Sequence, residues 1–507
     1  RIWDVIVVGA GPAGCVLASR LSEDNHRSVL LIDAGPDYGS DPANWPEELL
    51  NPHHSAVDSH SWGFLNAATP DGTRIPLPRG RLVGGCSAVN ACIWLRGSRV
   101  DYDGWEALGN PGWSWEQLAP YFSRAETDTF GDPAHHGHDG PIRISRAAAD
   151  EYGNAAHALL DAAQELGFGY VDDLNASVGQ QPCIGPTPKN IVDGRRQNAA
   201  LTYLAVARNR DNLTVLPDTL VDTILFDGRR AVGVRTASGR EITGREIVVS
   251  AGAYASPALL LRSGIGSATH LREVGVELRH ELPGVGEHLL DHPYIAPYTS
   301  GLSIFPMRPE AVSGSRRFIP VMIKARSFQV DDEIDLHLYP REIEDQRTGG
   351  WLFGFGVSLQ FARSKGWVRL ASADPEAPLD IDHNYFADEA DLEAICDGLE
   401  LVGRLVTTPP LAGVVQLPDD AAVLGSRERL RAAVRAEIGT TFHPSSTCRM
   451  GPPSDPTAVV DAECQVHGID ALRVIDASVF PWGPRCNLHG PVVAVAERMA
   501  DRMSAEY

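Results

Sequence analysis

The stretch that decides the fold is Ile2-Trp3-Asp4-Val5-Ile6-Val7-Val8-Gly9-Ala10-Gly11-Pro12-Ala13-Gly14, at the start of a chain of 507 residues. Residues 2–8 are an apolar, β-branched run without Gly or Pro, which reads as a buried parallel strand. A helix follows to about Leu21, and Ser28–Ile32 is a second apolar strand that ends at Asp33. Together they form a βαβ unit. Within it, Gly9 permits a tight turn, Gly11 lets backbone approach a pyrophosphate, and Gly14 lets helix and strand pack closely. The helix N-terminus offers free N–H groups and partial positive charge to phosphates. Asp33, nineteen residues beyond Gly14, is placed to accept hydrogen bonds from a ribose diol. A carboxylate there disfavours a 2′-phosphate, so the motif leaves FAD and NAD open and argues against NADP.

Working outward, the length exceeds what one ordinary core holds and predicts two domains, possibly interleaved. The apolar fraction of 43% and charged fraction of 22% are those of a globular enzyme. A net charge of -22 repels phosphate backbones and argues against nucleic acid as a partner. None of the eight cysteines forms a C-x-x-C pair or a zinc-finger spacing with histidine, so no metal site is expected. They read as small buried residues of a reducing compartment, and the expected location is cytoplasmic. No window reaches the length of a membrane span.

Residues 36–80 are rich in Pro, His, Asp and Trp without periodicity, and read either as a lid or binding loop or as a surface excursion. Helices are predicted at 111–124, 152–166, Asp388–Leu405 and Pro491–Met503. Another is predicted at Ser256–Arg262, with Ser256 as N-cap and Pro257 at the first position. Residues 213–226 and 230–250 read as strands around a turn at Asp227-Gly228. Alternating segments within 318–374, such as 335–339 and 366–372, suggest an antiparallel sheet. The expected class is α/β: a Rossmann-like dinucleotide domain with an inserted substrate domain built on an antiparallel sheet with helices. The first would take 1–145, 190–290 and 440–507, and the second 146–189 and 291–439.

Three further stretches carry chemistry. They are Gly80-Arg81-Leu82-Val83-Gly84-Gly85-Cys86-Ser87-Ala88-Val89-Asn90; Gly252-Ala253-Tyr254-Ala255-Ser256-Pro257; and the C-terminal pair FHPSSTCRMG (442–451) and LRVIDASVFP (472–481), which runs on to NLHGP (487–491). With the N-terminal fingerprint, their order and spacing resemble the glucose–methanol–choline (GMC) oxidoreductases. The resemblance implies FAD. No second G-x-G-x-x-G opens a βαβ unit, which counts against an FAD class that also uses NADPH. The resemblance also implies that Gly84 and Gly85 pass close to the cofactor, that Asn90 meets the flavin, that Val221 lies against the adenine, and that Asp476 and Ala477 approach the pyrophosphate and flavin. Asn90 also has a plain reading as a turn-stabilising residue. Some members carry a histidine linked to the flavin where this chain has Val89, so the FAD is expected to be non-covalent.

The same resemblance makes His443 the base near flavin N5 and His489 its partner, with Asn487 as second candidate for that role. An imidazole with an ordinary pKa near 6.5 suits proton transfer at neutral pH. Phe442 and Thr441 are expected to line the substrate pocket. His292 and His467 read as structural. The implied activity is oxidation of a primary alcohol to the aldehyde, with hydride transfer to the flavin and reoxidation by O2 or another acceptor. The stretch after Asn90 resembles bacterial hydroxymethylfurfural and aryl-alcohol oxidases, which favours an aromatic, furanic or other uncharged alcohol. The alternatives are a choline dehydrogenase-like enzyme using another acceptor, a non-redox FAD lyase or photodecarboxylase, and a protein that merely retains FAD.

Overall fold

The computed structural model describes residues 1–55, 58–67, 74–176, 181–296, 302–312, 319–331, 333–417 and 426–506. Ile2–Val8 sits inside a seven-stranded sheet, hydrogen-bonded in parallel to Val29–Ile32 on one side and Glu241–Val249 on the other. Leu213–Leu216 extends the sheet beyond Val29–Ile32, again in parallel. On the far side, Val221–Asp227, Arg230–Thr236 and Glu241–Val249 form an antiparallel meander, and Leu472–Val474 returns from the end of the chain to pair with Val249 and its neighbours. All four residues of Val29–Ile32 are buried, as apolar runs in a doubly covered parallel sheet must be.

This topology places the site. The strands ending at Val8, Ile32, Val249 and Val474 all run in one direction, so the residues after them gather along one edge. A crevice outside the carboxyl ends of parallel strands is where such sheets take ligands. The helix Pro12–Leu21 covers the sheet and packs against the C-terminal helix His489–Ala505, tied by Arg20 to the fully buried Glu497 at 2.8 Å.

The second sheet has eight strands, nearly all antiparallel, centred on Leu336–Glu344 and Trp351–Leu359, with its own apolar core against the helices Asn154–Glu165 and Glu389–Thr407. At its edge, Pro293–Ile295 pairs with Gly439–Thr440. That pairing brings the residues just before Pro293 beside those just after Thr440. The segment 366–372 contributes a strand, Trp367–Leu370, but in a separate two-stranded ribbon with Leu379–Asp382.

Two helices differ from expectation. The first predicted at 111–124 starts at Trp115. The one predicted at Ser256–Arg262 begins four residues earlier, at Gly252, with Pro257 inside it. Proline there removes an N–H that would bond the Ala253 carbonyl, and the Thr447 hydroxyl donates to that carbonyl instead at 2.6 Å. Ser256 is no N-cap: its hydroxyl donates to Asp476 and accepts from the Ala251 N–H. The 36–80 excursion holds short elements, including the pair Phe64–Leu65 and Pro76–Leu77; residues 56, 57 and 68–73 lie outside the described residues. Seven cysteines are buried, Cys86 is half-buried, and all eight are free thiols. Among the described residues, no helix is long and apolar enough to cross a membrane.

Candidate active site

A cavity of about 560 Å³ begins at Gly9, Gly11 and Asp33, passes Val221, Asp476 and Ala477, runs by Gly85, Val89 and Asn90, and ends among Thr441, Phe442, His443, Asn487 and His489. Its first half is built for a dinucleotide. Gly9 has a left-handed backbone (φ 99°), and a Cβ there would meet the Ser250 carbonyl. A Cβ on Gly14 would strike the Gly9 carbonyl, whereas Gly11 faces open space with no atom within 4 Å. The crossing is tight at the phosphate turn and open where a pyrophosphate would lie. Asp33 accepts the Ala10 and Gly35 N–H groups at 2.8 and 2.9 Å. Burial raises its pKa to about 6 against the pull of those bonds. These residues fit FAD.

Asp476, Asn90 and Thr441 line the cavity and also hold local structure, whereas Gly84 lies behind it. Gly84 does not reach the cavity wall; its φ of 104° turns the chain and its N–H binds the Ala10 carbonyl. Asp476 spends its carboxylate on two helix starts, accepting from Gly252 N–H and Ser256 on one oxygen and Ser478 N–H on the other. Asn90 does stabilise a turn, since its Oδ1 accepts the Cys92 N–H at 3.0 Å. Thr441 lines the cavity, but its hydroxyl donates to the His292 carbonyl at 2.9 Å.

The histidines differ in surroundings. His443 Nε2 lies 3.3 Å from the Asn487 amide nitrogen, so Asn487 touches it directly. His489 stands edge-on to Trp94, with ring centroids 5.3 Å apart, and neither of its nitrogens has a partner among the described residues. It is 8% exposed, and burial pulls its pKa down to about 4. A buried imidazole at a cavity wall with neither nitrogen hydrogen-bonded is unsatisfied as it stands.

His292 corrects the sequence reading. It is not a remote structural residue: its Nδ1 lies 2.9 Å from Nδ1 of His443. The Gln360 backbone favours a proton on the His292 ring. With that proton on Nε2, His292 Nδ1 accepts from His443 Nδ1–H, and the free lone pair of His443 is on Nε2. Tyr339 donates to Asn487 Oδ1 at 3.4 Å, which turns the Asn487 amide nitrogen toward that lone pair. Burial first, and then His292 and Arg79, hold the His443 pKa well below the usual 6.5, so the ring is neutral.

Asp291 was also missed. It is 5% exposed and accepts from His443 N–H and His292 N–H at 2.8 Å each, from the Tyr385 hydroxyl at 2.7 Å and from Thr440. It clamps the backbone on both sides of the histidine pair. Phe442, immediately before the base, has a left-handed φ of 64°, a strained state for an aromatic residue that this clamp sustains. Arg79 donates to the Phe442 carbonyl at 2.8 Å and lies over the rings of Phe442 and Tyr254, 5.7 Å from each centroid. Nothing local in the sequence marks Asp291, His292 or Arg79, because each reaches the Thr440–His443 segment across more than 140 positions. His467 behaves as expected, donating to the Gly451 carbonyl.

Family models described as GMC oxidoreductase match residues 3–294 and 362–496. The chain belongs to the GMC oxidoreductase family. As a member it binds FAD and acts on CH–OH donors as a flavin alcohol oxidoreductase. The oxygen-dependent choline dehydrogenase of Paraburkholderia phytofirmans is 37% identical over 99% of this chain and 94% of its own length. The mitochondrial choline dehydrogenase of Homo sapiens is 34% identical, covering 98% and 89%. The pyridoxine 4-oxidase of Mesorbium loti superposes with a TM-score of 0.88 at 30% identity over the full length of both chains. A fungal aryl-alcohol oxidase does so at 0.82 with 25% identity, covering 100% and 99%.

Proposed function

We propose that this GMC enzyme oxidises an uncharged primary alcohol, aromatic or furanic in the first instance, to its aldehyde, with His443 as the base. Bound FAD supplies the hydride acceptor at its N5 atom. His443 Nε2 takes the hydroxyl proton, since it is the nitrogen of a neutral imidazole left with a lone pair facing the cavity. Asn487 and His489 hold the alcohol oxygen, and positioning of this kind supplies much of the rate. His292 fixes the tautomer of His443, and Asp291 fixes its backbone. FAD is held without a covalent bond, because Val89 has no nucleophilic atom; acid precipitation should release all the yellow colour. The word "oxidase" in the structural relatives' names, and "oxygen-dependent" in a curated relative's, support O2 as acceptor.

The observation that carries the substrate reading is the charge beside the base. Among the described residues, the acids lining the cavity are Asp33, Asp476 and Glu376. The first two belong to the strand ends that form the dinucleotide half. Asp291 is consumed by its own donors. The ionic group near His443 is the Arg79 guanidinium, which already covers the faces of Phe442 and Tyr254. A quaternary ammonium needs the reverse, open aromatic faces and a carboxylate. The choline dehydrogenases among the relatives favour a second reading, choline itself as the substrate.

Anaerobic mixing of the yellow protein with benzylic, furanic, aliphatic and quaternary-ammonium alcohols tests both. The proposal expects bleaching by the uncharged alcohols, then peroxide when air is admitted. Faster bleaching by choline would overturn the substrate reading. Bleaching without recovery in air would overturn the oxidase reading, and no bleaching by any alcohol would overturn the proposal as a whole.

A further inference from the structure

A second cavity, of about 490 Å³, has Lys324, His337, Arg96 and Arg485 in its wall. Lys324 and His337 line it as directly opposed residues of an antiparallel ladder, so their side chains share one face of the sheet. Lys324 is 6% exposed, yet its ammonium makes one hydrogen bond, to the Leu174 carbonyl at 2.7 Å, and no ion pair. An ammonium has three protons to donate, so two face no acceptor among the described residues. His337 is fully buried; its Nδ1 meets the Tyr339 hydroxyl at 3.2 Å, and its Nε2 has no partner. Arg485 and Arg96 also line this cavity. Each pairs with a carboxylate, Asp101 and Glu126, through its terminal nitrogens, and each leaves its Nε buried without an acceptor. Among the described residues, the acids on the wall are Glu116, which is exposed, and Glu333, which is half-buried.

A buried ammonium and two unmatched guanidinium N–H groups in the wall of one cavity are costly unless an anion completes them. We propose that this second cavity is a binding site for a small oxyanion, a carboxylate or a phosphate, held by Lys324 with the Nε–H groups of Arg485 and Arg96. Its occupancy reaches the main site through contacts already present. The anion cancels the Lys324 charge, which together with burial keeps His337 neutral. His337 touches Tyr339, Tyr339 touches Asn487, and Asn487 touches His443. The site shares no lining residue with the cavity at Arg79.

Isothermal titration of the FAD-loaded enzyme with sodium phosphate and with sodium acetate, at pH 7 and low fixed ionic strength, tests this. One equivalent of one or both anions should bind. Phosphate alone, or acetate alone, names the source of the oxyanion. Lys324→Met should weaken binding at least tenfold while the protein keeps its far-ultraviolet spectrum and its FAD, because replacing an unpaired buried charge by an apolar side chain of similar length is tolerated. Should that variant fail to fold, Lys324→Gln serves the same comparison. Arg79→Met should bind as the parent does. No binding of either anion by the parent overturns the proposal. So does binding that survives Lys324→Met and is lost in Arg79→Met.

Discussion

The protein buries histidine in two opposite ways. Around His443, four imidazoles (His292, His337, His443 and His489) stand without a carboxylate hydrogen-bonded to any ring nitrogen. About the strand Glu126–Thr127, His136 is 4% exposed and gripped from both sides, by Glu126 at 2.6 Å and Asp173 at 2.7 Å. Arg96 and Arg146 complete that cluster by pairing with Glu126, Asp128 and Asp173. Glu126, Asp128 and His136 converge closely enough to suggest a metal, but guanidinium groups already occupy the carboxylates. Burial alone would lower the His136 pKa; the bonds to Asp173 and Glu126 outweigh it and raise the value to about 9. The same residue type is therefore a neutral proton acceptor in one place and a fixed cation in the other. Trp94 joins the two regions: its face meets the edge arrangement with His489, and its indole N–H donates to Glu126 at 2.6 Å.

The comparison can be broken from either side. His443→Ala removes the base and should slow anaerobic flavin reduction by roughly 10²- to 10⁴-fold while FAD stays bound, read by stopped-flow absorbance. Near-normal reduction would remove His443 from the role. His136→Leu leaves Glu126 and Asp173 short of a counter-charge and should cost about 3–5 kcal/mol in denaturant unfolding at pH 7. An unchanged midpoint would mean that the cluster is not the anchor described. Asp291→Asn keeps the shape but cannot accept on both oxygens. It should cost about 1–3 kcal/mol of stability and slow flavin reduction, with FAD still bound.

The pH dependence of stability tests the same contrast, with opposite signs on its two sides. His292 and His489 have pKa values lowered to about 4. Their contribution is present above pH 6.5 and is lost as pH falls from there towards 4, by about 1.4 kcal/mol per pH unit for each. His136, raised to about 9, contributes fully below pH 6.5 and loses its contribution as pH rises from 6.5 to 9. Melting temperature against pH should therefore fall on both sides of neutrality, and His136→Leu should flatten only the alkaline side. A variant curve that keeps the alkaline fall would contradict the assignment.

Much of this was legible in the sequence because it is local. The strand Ile2–Val8, the glycine turn and the helix after it are written in consecutive residues, and the context of His443 sits in one motif. What was hidden depends on distant pairing. His292 reads as any buried histidine until Pro293–Ile295 pairs with Gly439–Thr440. Ser256 has the look of an N-cap until Asp476, more than 200 residues later, takes its hydroxyl. Asp476 lines the cavity, as its motif implies, but its bonds to two helix starts stay hidden because those starts come together only in the fold. Arg79 lies among irregular residues with no period to mark it, and its meaning comes from the two rings it covers.

The central claim is that the proton acceptor of the site is a neutral imidazole kept so by burial and by neighbouring positive charge. The pH dependence of anaerobic flavin reduction by a saturating uncharged primary alcohol tests it most directly. The rate should be level from pH 8 down through 6.5 and fall only well below that, where His443 at last takes a proton. A rate that already falls between pH 8 and 6.5 would mean that the base titrates at or above the ordinary histidine value, and would contradict the account.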